Sequence, residues 1–347
     1  MEPGKDFLRQ RAWELGFTLC GFTTADPPER YPVFADWIAA GRHGGMQYLA
    51  TERSLSIRAL PSRLLPAARS IIALAMPYAP PPEFENRPLE GRVAAYALGE
   101  DYHEIIPDRL RSLCRDIDSL AGRALEHRVY ADTGPILERE IASRAGLGWI
   151  GRNSMLLHPG IGSFFFLAVI LTEQVFPADP PFPFDRCGTC DRCVKACPTG
   201  CILPDRTIDS RRCISYWTIE HRGPVPVDIR GRMGGWVFGC DVCQIVCPWN
   251  RRTRLPVNPA FLPRGHFPIR NLAREVSLSE EEWEARFRHS PLRRIGREAH
   301  LRNIILALGN SGCEEAKPVL LAFQSNSSQI LRDSAIWALD QIYGDKR

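Results

Sequence analysis

Four cysteines at the spacing Cys187-x2-Cys190-x2-Cys193-x3-Cys197, closed by Pro198, are followed by a shortened echo, Cys240-x2-Cys243-x3-Cys247-Pro248. The first run has the spacing of proteins that hold two 4Fe–4S clusters, in which three thiolates cap one cluster and the fourth reaches across to the other. One such run therefore requires a partner. The echo supplies it except for a first cysteine, and Cys213 stands upstream to fill that place. The exchange rule then assigns Cys187, Cys190, Cys193 and Cys247 to cluster one, and Cys213, Cys240, Cys243 and Cys197 to cluster two. Cys201 competes with Cys213 for the vacant role, but its closeness to Cys197 in sequence makes it a non-ligand in this reading. Zinc prefers paired Cys-x2-Cys hooks and suits the longer run poorly.

The chain has 347 residues and twelve cysteines, nine of them between 187 and 247. Disulfides are disfavoured, because the N-terminus mixes acids with bases and lacks the apolar core and small-residue cleavage site of a secretory signal. The expected location is the cytoplasm, with no membrane contact; the most apolar run, Phe164 to Leu171, is far too short to span a bilayer. Cys20, Cys114 and Cys313 lie in apolar surroundings and read as buried core residues. A length of 347 residues suits two or three domains, and 29 prolines with 27 glycines make them rich in loops.

Periodicity predicts helices over 5–16, 33–40, 107–125 and 135–145, and strands over 17–22, 69–76, 128–131 and 163–172. Strands and helices alternate up to about residue 175, where Pro177 to Phe184 forms a proline-rich boundary. From about 290 the chain is helical, with Ile304, Ala307 and Leu308 echoed by Ala335, Ala338 and Leu339 at an offset of 31. That period belongs to stacked hairpins of HEAT type, or to one ordinary helical hairpin. The expected protein is a monomer of α+β class. It has an N-terminal α/β domain over 1–175, a bacterial-ferredoxin-like two-cluster module over 176–260, and HEAT-like helical repeats over 261–347.

Net charge is only +4, yet Arg251 to Arg302 holds twelve arginines against six acids. Such a run is either a solvated face or a seat for a polyanion, since arginine pairs well with phosphate. Asp132 ends a predicted strand just before Gly134-Pro135. It reads as a helix cap or as a general acid at a strand end. Around Trp149, Gly146, Gly148 and Gly151 would let backbone approach a flat ligand closely.

Gly44-Gly-Met-x-Tyr-Leu49, Asp101-Tyr-His103, Ala131-Asp-Thr-Gly-Pro135, Gly148-Trp-Ile-Gly-x-Asn153 and Cys213-Ile-Ser-Tyr216, with the cysteine pattern, resemble the epoxyqueuosine reductase family. These are cobalamin-dependent iron–sulfur enzymes of queuosine tRNA modification, and the resemblance runs in order along nearly the whole chain. It implies a base-off cobalamin in the N-terminal domain beside the first of two 4Fe–4S clusters, fed by an external low-potential electron donor. The implied substrate is tRNA carrying epoxyqueuosine at the wobble position, reduced to queuosine with loss of water, and the HEAT-like tail would help to grip the tRNA. By position Asp132 matches the family's proton donor at the corrinoid face. Arg58, His103, Trp149, Asn153 and Ser215 are the implied corrinoid contacts, and packing is the competing role for each. The Asp-x-His-x-x-Gly motif of histidine-ligated cobalamins is broken here by Ile106, which agrees with a base-off cofactor.

Two other functions compete. A plain two-cluster electron carrier explains the cysteines but leaves the first 175 residues without a task. A corrinoid iron–sulfur reductase of a small molecule, similar to reductive dehalogenases, would normally bring a twin-arginine export signal, which is not present.

Overall fold

The run Phe164 to Leu171 has no polar residue because both its faces are covered. In the computed structural model, which describes residues 3–83, 87–251 and 257–344, four strands form a sheet in the order β1-β2-β7-β4. They are β1 (Leu19–Thr24), β2 (Ser70–Pro77), β4 (His127–Tyr130) and β7 (Phe165–Thr172); the two-residue strands β3 (Arg92–Val93), β5 (Trp149–Ile150) and β6 (Leu156–Leu157) lie outside it. Side chains alternate across the sheet. Ile72, Leu74 and Met76 of β2, with Phe166, Ala168 and Ile170 of β7, meet the helices Pro3–Glu14 and Tyr102–Ala121. Ile71, Ala73 and Ala75, with Phe165, Val169 and Leu171, face Ile141 and Ala142 of the helix Glu138–Arg144.

Every pairing in this sheet is antiparallel. The domain is therefore of α+β type, and the expected α/β arrangement is corrected. Alternation of strands and helices along the chain does not by itself produce parallel crossovers.

The helix expected over 107–125 instead spans Tyr102–Ala121. Asp101 caps it by accepting the His103 N–H at 3.0 Å, and Gly122, left-handed at φ 67°, ends it. Pro107 is tolerated inside it, so Asp101, and not the proline, sets the start.

In the cysteine-rich segment two short helices, Arg192–Ala196 and Val242–Ile245, pack on each other, and each is followed by a Cys-Pro pair. The segment is woven into its neighbours. Its strand β8 (Trp236–Phe238) pairs in parallel with β3, and Asp241 accepts the Ala95 N–H at 2.6 Å. Beyond it the chain returns to the sheet, where Phe261 meets Phe166 edge-on at 4.8 Å.

Three helices, Arg297–Ser311, Lys317–Phe323 and Gln329–Gly344, form the tail. Ile304, Ala307 and Leu308 share one core with Ala335, Ala338 and Leu339, so the 31-residue echo marks two helices in mutual contact. Arg302, one of the basic run, has no solvent exposure. Its guanidinium donates to the carbonyls of Trp217, His221 and Gly223 at 2.6, 2.9 and 2.5 Å and to the Asn303 side chain. Burial lowers its pKa to about 10. The reading of the run as one solvent-facing polyanion site is thus corrected for Arg302, and Arg286, Arg293, Arg294 and Arg297 are paired with Glu275, Glu284, Asp101 and Glu280. Arg270, Arg274 and Arg288 are exposed, while Arg252 and Arg254 lie outside the described residues.

Of the three cysteines read as core, Cys114 is buried and Cys20 is half-buried against the sheet core. Cys313 is not a core residue. It follows the left-handed Gly312 at a helix end and its Sγ meets Glu315 at 2.6 Å. Among the described residues no helix is long and apolar enough to cross a membrane.

Replacing Arg302 by methionine keeps most of the buried volume but strands its carbonyl acceptors. The variant is expected to lose about 2–4 kcal/mol of stability, seen as an earlier denaturant midpoint for the iron-loaded protein.

Candidate functional site

Cys187, Cys190, Cys193 and Cys247 line one cavity of about 240 Å³, together with Arg152, Asn153, Leu157 and Trp249. This is the set that the exchange rule groups as cluster one, although Cys247 is 54 residues from Cys193. The Trp149 ring packs behind two of these residues: it is 4% exposed, meets Trp249 edge-on at 5.2 Å and donates from Nε1 to Cys187 Sγ at 3.4 Å. Asn153, also buried, donates to the Cys243 carbonyl at 3.3 Å and so joins the two cysteine runs.

The remaining thiols form a second group. Cys197 Sγ lies 3.4 Å from Cys201 Sγ and accepts the Cys201 backbone N–H at 3.4 Å. Cys213 lies close enough to Cys201, Cys240 and Cys243 for its charge to raise the pKa of each. Hydrogen bonding from Cys201 pulls Cys197 down to about 4 and Cys213 to about 7, against the opposing effect of burial, while Cys201 itself is driven up by its two neighbours. Burial pushes Cys240 up to about 12.

Asp132 sits just past β4 in the left-handed region, at φ 65°. Asparagine and aspartate tolerate this better than other residues with a side chain. Its N–H donates to Glu138 Oε1 at 2.8 Å, from the first turn of the next helix. Two residues on, Gly134 has no room for a side chain, because a Cβ would come within 2.6 Å of the Tyr130 ring.

The side chain of Asp132 is 69% exposed. Tyr102 donates to Oδ2 at 2.8 Å and His103 Nε2 faces the same oxygen at 3.7 Å. His103 Nδ1 is held by Asp101 at 2.6 Å. Protein atoms crowding the carboxylate raise its pKa, but the bonds from His103 and Tyr102 outweigh this and leave it below the usual range. Burial lowers the His103 pKa, yet its two carboxylate partners leave it raised overall. Glu138 is pushed up to about 8, first by burial and then by the Asp132 charge.

The predicted residues separate into two groups. Arg58 is buried under Phe34, with its guanidinium 5.4 Å from that ring, bonded to Ser54 and within electrostatic reach of Tyr48 and Glu138. With His103 and Asp132 it forms the polar group. Asn153 lines the cysteine cavity, Trp149 packs on its Cys187 and Trp249, and Ser215 lies two residues from Cys213. The two groups are joined by the turn after Ser215. There Tyr216 Oη accepts the Gly45 N–H at 2.7 Å, and Glu220 lies within electrostatic reach of Asp132.

Tyr48, Tyr102, Glu138 and Glu220 are site residues that sequence reasoning did not select. Tyr48 and Tyr102 stood inside motifs that were read for their neighbours. Glu138 lies in a first helical turn, where an acidic residue is ordinary.

Comparison with known proteins follows these landmarks. Residues 186–250 match the family described as a 4Fe-4S double cluster binding domain, and residues 58–133 match the family described as "Epoxyqueuosine reductase QueG, DUF1730". The epoxyqueuosine reductase of Pseudomonas aeruginosa is 39% identical over 333 residues, spanning 94% of this chain and 91% of its own. That of Escherichia coli is 38% identical over 338 residues, spanning 96% and 88%. A crystal structure of epoxyqueuosine reductase with an epoxyqueuosine-modified tRNA-Tyr stem loop superposes with TM-score 0.89 at 30% identity, over 97% of this chain and 90% of that one. A Bacillus subtilis epoxyqueuosine reductase structure, with its catalytic aspartate loop swung out of the active site, gives 0.88 at 30% identity over the same shares of each chain.

Glu138 offers a direct check on the electrostatics of the Asp132 turn. Its folded pKa of about 8 lies above its ordinary value of 4.5, so its stabilising contribution is complete at low pH and is lost as pH rises through about 8. Glu138→Gln keeps a neutral side chain with an acceptor for the Asp132 N–H. Its thermal midpoint relative to the parent protein should therefore climb as pH is raised from about 5 to 9; a constant difference would contradict the assigned titration.

Proposed function

The chain belongs to the epoxyqueuosine reductase family, and on that footing we propose that it reduces epoxyqueuosine to queuosine in the anticodon loop of tRNA. Overall the reaction takes two electrons and two protons, releases the epoxide oxygen as water and leaves a carbon–carbon double bond. The observation that carries the reading is the exposed Asp132 carboxylate, backed by an imidazole whose other nitrogen is anchored on Asp101.

In this proposal residues 176–260 bind two 4Fe–4S clusters, with Cys187, Cys190, Cys193 and Cys247 on one and Cys213, Cys240, Cys243 and Cys197 on the other. An external low-potential donor supplies their electrons singly. Residues 1–175 bind a base-off cobalamin, which when bound supplies a strongly reducing, nucleophilic cobalt at the substrate. The residues fit such a group. His103 has one nitrogen on Asp101 and the other facing Asp132, so both ring nitrogens are turned to carboxylates, which suits a cofactor that this histidine does not ligate. Arg58 and Ser215 bring a guanidinium and a hydroxyl suited to the amide-fringed edge of a corrin, while Trp149 and Asn153 secure the neighbouring cluster wall.

Asp132 delivers a proton to the epoxide oxygen as its carbon–oxygen bond opens, which removes the alkoxide charge as it develops. The free carboxylate is ionised, and the proton reaches it from His103 Nε2. Asp101 stabilises the imidazolium that stores this proton, and Tyr102 fixes the rotamer of the carboxylate. Residues 261–347 contact the tRNA, with the exposed Arg270, Arg274 and Arg288 meeting phosphates.

Asp132→Asn should lower single-turnover reduction of epoxyqueuosine-containing tRNA by about 10²–10⁴-fold. Iron content, cobalamin absorbance and tRNA affinity should stay at parent values. Retained activity would remove Asp132 from the proton path, and failure of the parent protein to perturb cobalamin absorbance would overturn the cofactor assignment. Binding to tRNA should weaken linearly in log–log salt titrations. Alanine at Arg270 or Arg288 should reduce that slope by about one per lost phosphate contact.

A further inference from the structure

Cys201 is the cysteine that the two cluster motifs leave over, and it is the best placed to act on one of them. It is 4% exposed, and its sulfur lies 3.4 Å from that of Cys197, assigned above to cluster two. The backbone holds it there. The turn after Pro198 passes through Gly200 at φ 60°, Gly200 N–H donates to the Cys197 carbonyl at 3.2 Å, and the Cys201 carbonyl accepts the Asp209 N–H at 2.9 Å. A bridge between Ile202 and Ile208 locks the following residues.

The sulfur contact of 3.4 Å is informative about roles. In a 4Fe–4S cube each iron takes one thiolate, directed outward from its own corner. Two such ligands diverge and cannot touch, so Cys197 and Cys201 are not both ligands of one cluster in this arrangement. Cys197 belongs to the cysteine–proline pattern and Cys201 does not. A ligand sulfur retains lone pairs after binding iron, and Cys197 receives three further contacts: Cys201 Sγ, the Cys201 N–H and Thr199 Oγ1 at 3.6 Å. Donors aimed at ligand sulfur offset the extra negative charge of the reduced cluster and raise its potential.

We propose that Cys201 is a positioning residue of cluster two that donates an S–H···S hydrogen bond to Cys197, binds no iron, and sets the cluster's reduction potential. The inference rests on the two-cluster reading. It gives the second cluster a donor set that differs from that of the first, where the contact to sulfur comes from the Trp149 indole.

Iron analysis and EPR-monitored redox titration of the reconstituted full chain test it. The parent protein should bind about eight irons, as two 4Fe–4S clusters require; a lower content would overturn the two-cluster reading itself, before any variant is made. Cys201→Ala should keep the parent iron content. At a fixed ambient potential its cluster-two ratio of reduced to oxidised forms should fall about tenfold, equivalent to about 59 mV for a one-electron couple. Cys201→Ser, which restores a donor, should recover most of that shift, and Cys201→Val removes the donor at nearly constant volume if the alanine void impairs folding. Loss of about four irons in the alanine and valine variants would make Cys201 a ligand and overturn the proposal. An unchanged potential at full iron content would overturn it equally.

Discussion

Two adjacent side chains of one tail helix satisfy five backbone carbonyls of the cysteine-rich segment: Arg302 those of Trp217, His221 and Gly223, and Asn303 those of Thr218 and Val237. A segment made of short turns around cysteines has neither long helices nor a wide sheet in which to pair its own backbone. Buried carbonyls without partners are costly, so the donors must come from elsewhere. The tail is thus part of the machinery that shapes residues 213–239, and the segment in turn reaches the surroundings of Asp132 through Tyr216 and Glu220.

The same logic explains why the cores do not follow the linear order of the chain. β8 lies beside β3, Asp241 holds the Ala95 N–H, and Phe261 returns to the sheet. Each link closes a polar or apolar surface that a separate small module would leave open to water. The antiparallel sheet, covered by helices on both faces, gives the rigid edge from which β4 delivers Asp132.

Around Asp132 the electrostatics are divided among three acids with different fates. Asp101 anchors His103, Asp132 stays ionised against that histidine and Tyr102, and Glu138 takes the neutral form beneath the same turn. Three neighbouring carboxyls are thus held at contrasting protonation by their different partners.

Much of this was legible in the chain itself. Cysteine spacing is a covalent fact, and it grouped Cys247 with Cys187, Cys190 and Cys193, the four that line one cavity. Period-two and helical patterns located the strands and most helices, since burial on one or both faces imposes them locally. The short motifs carried the family. Sheet direction, the burial of Arg302, the surface position of Cys313 and the partners of Asp132 were not legible, because each depends on which distant segments meet. Asp101 stands in the sequence as part of a motif, and only the helix start places it as a cap; Glu138 acquires its role only where the Asp132 N–H donates to it. Sequence determined which chemistry the chain carries, as residue type and spacing are properties of the chain. Tertiary structure alone decided where each charge and thiol finds its partner, because those distances are set by packing between segments far apart along it.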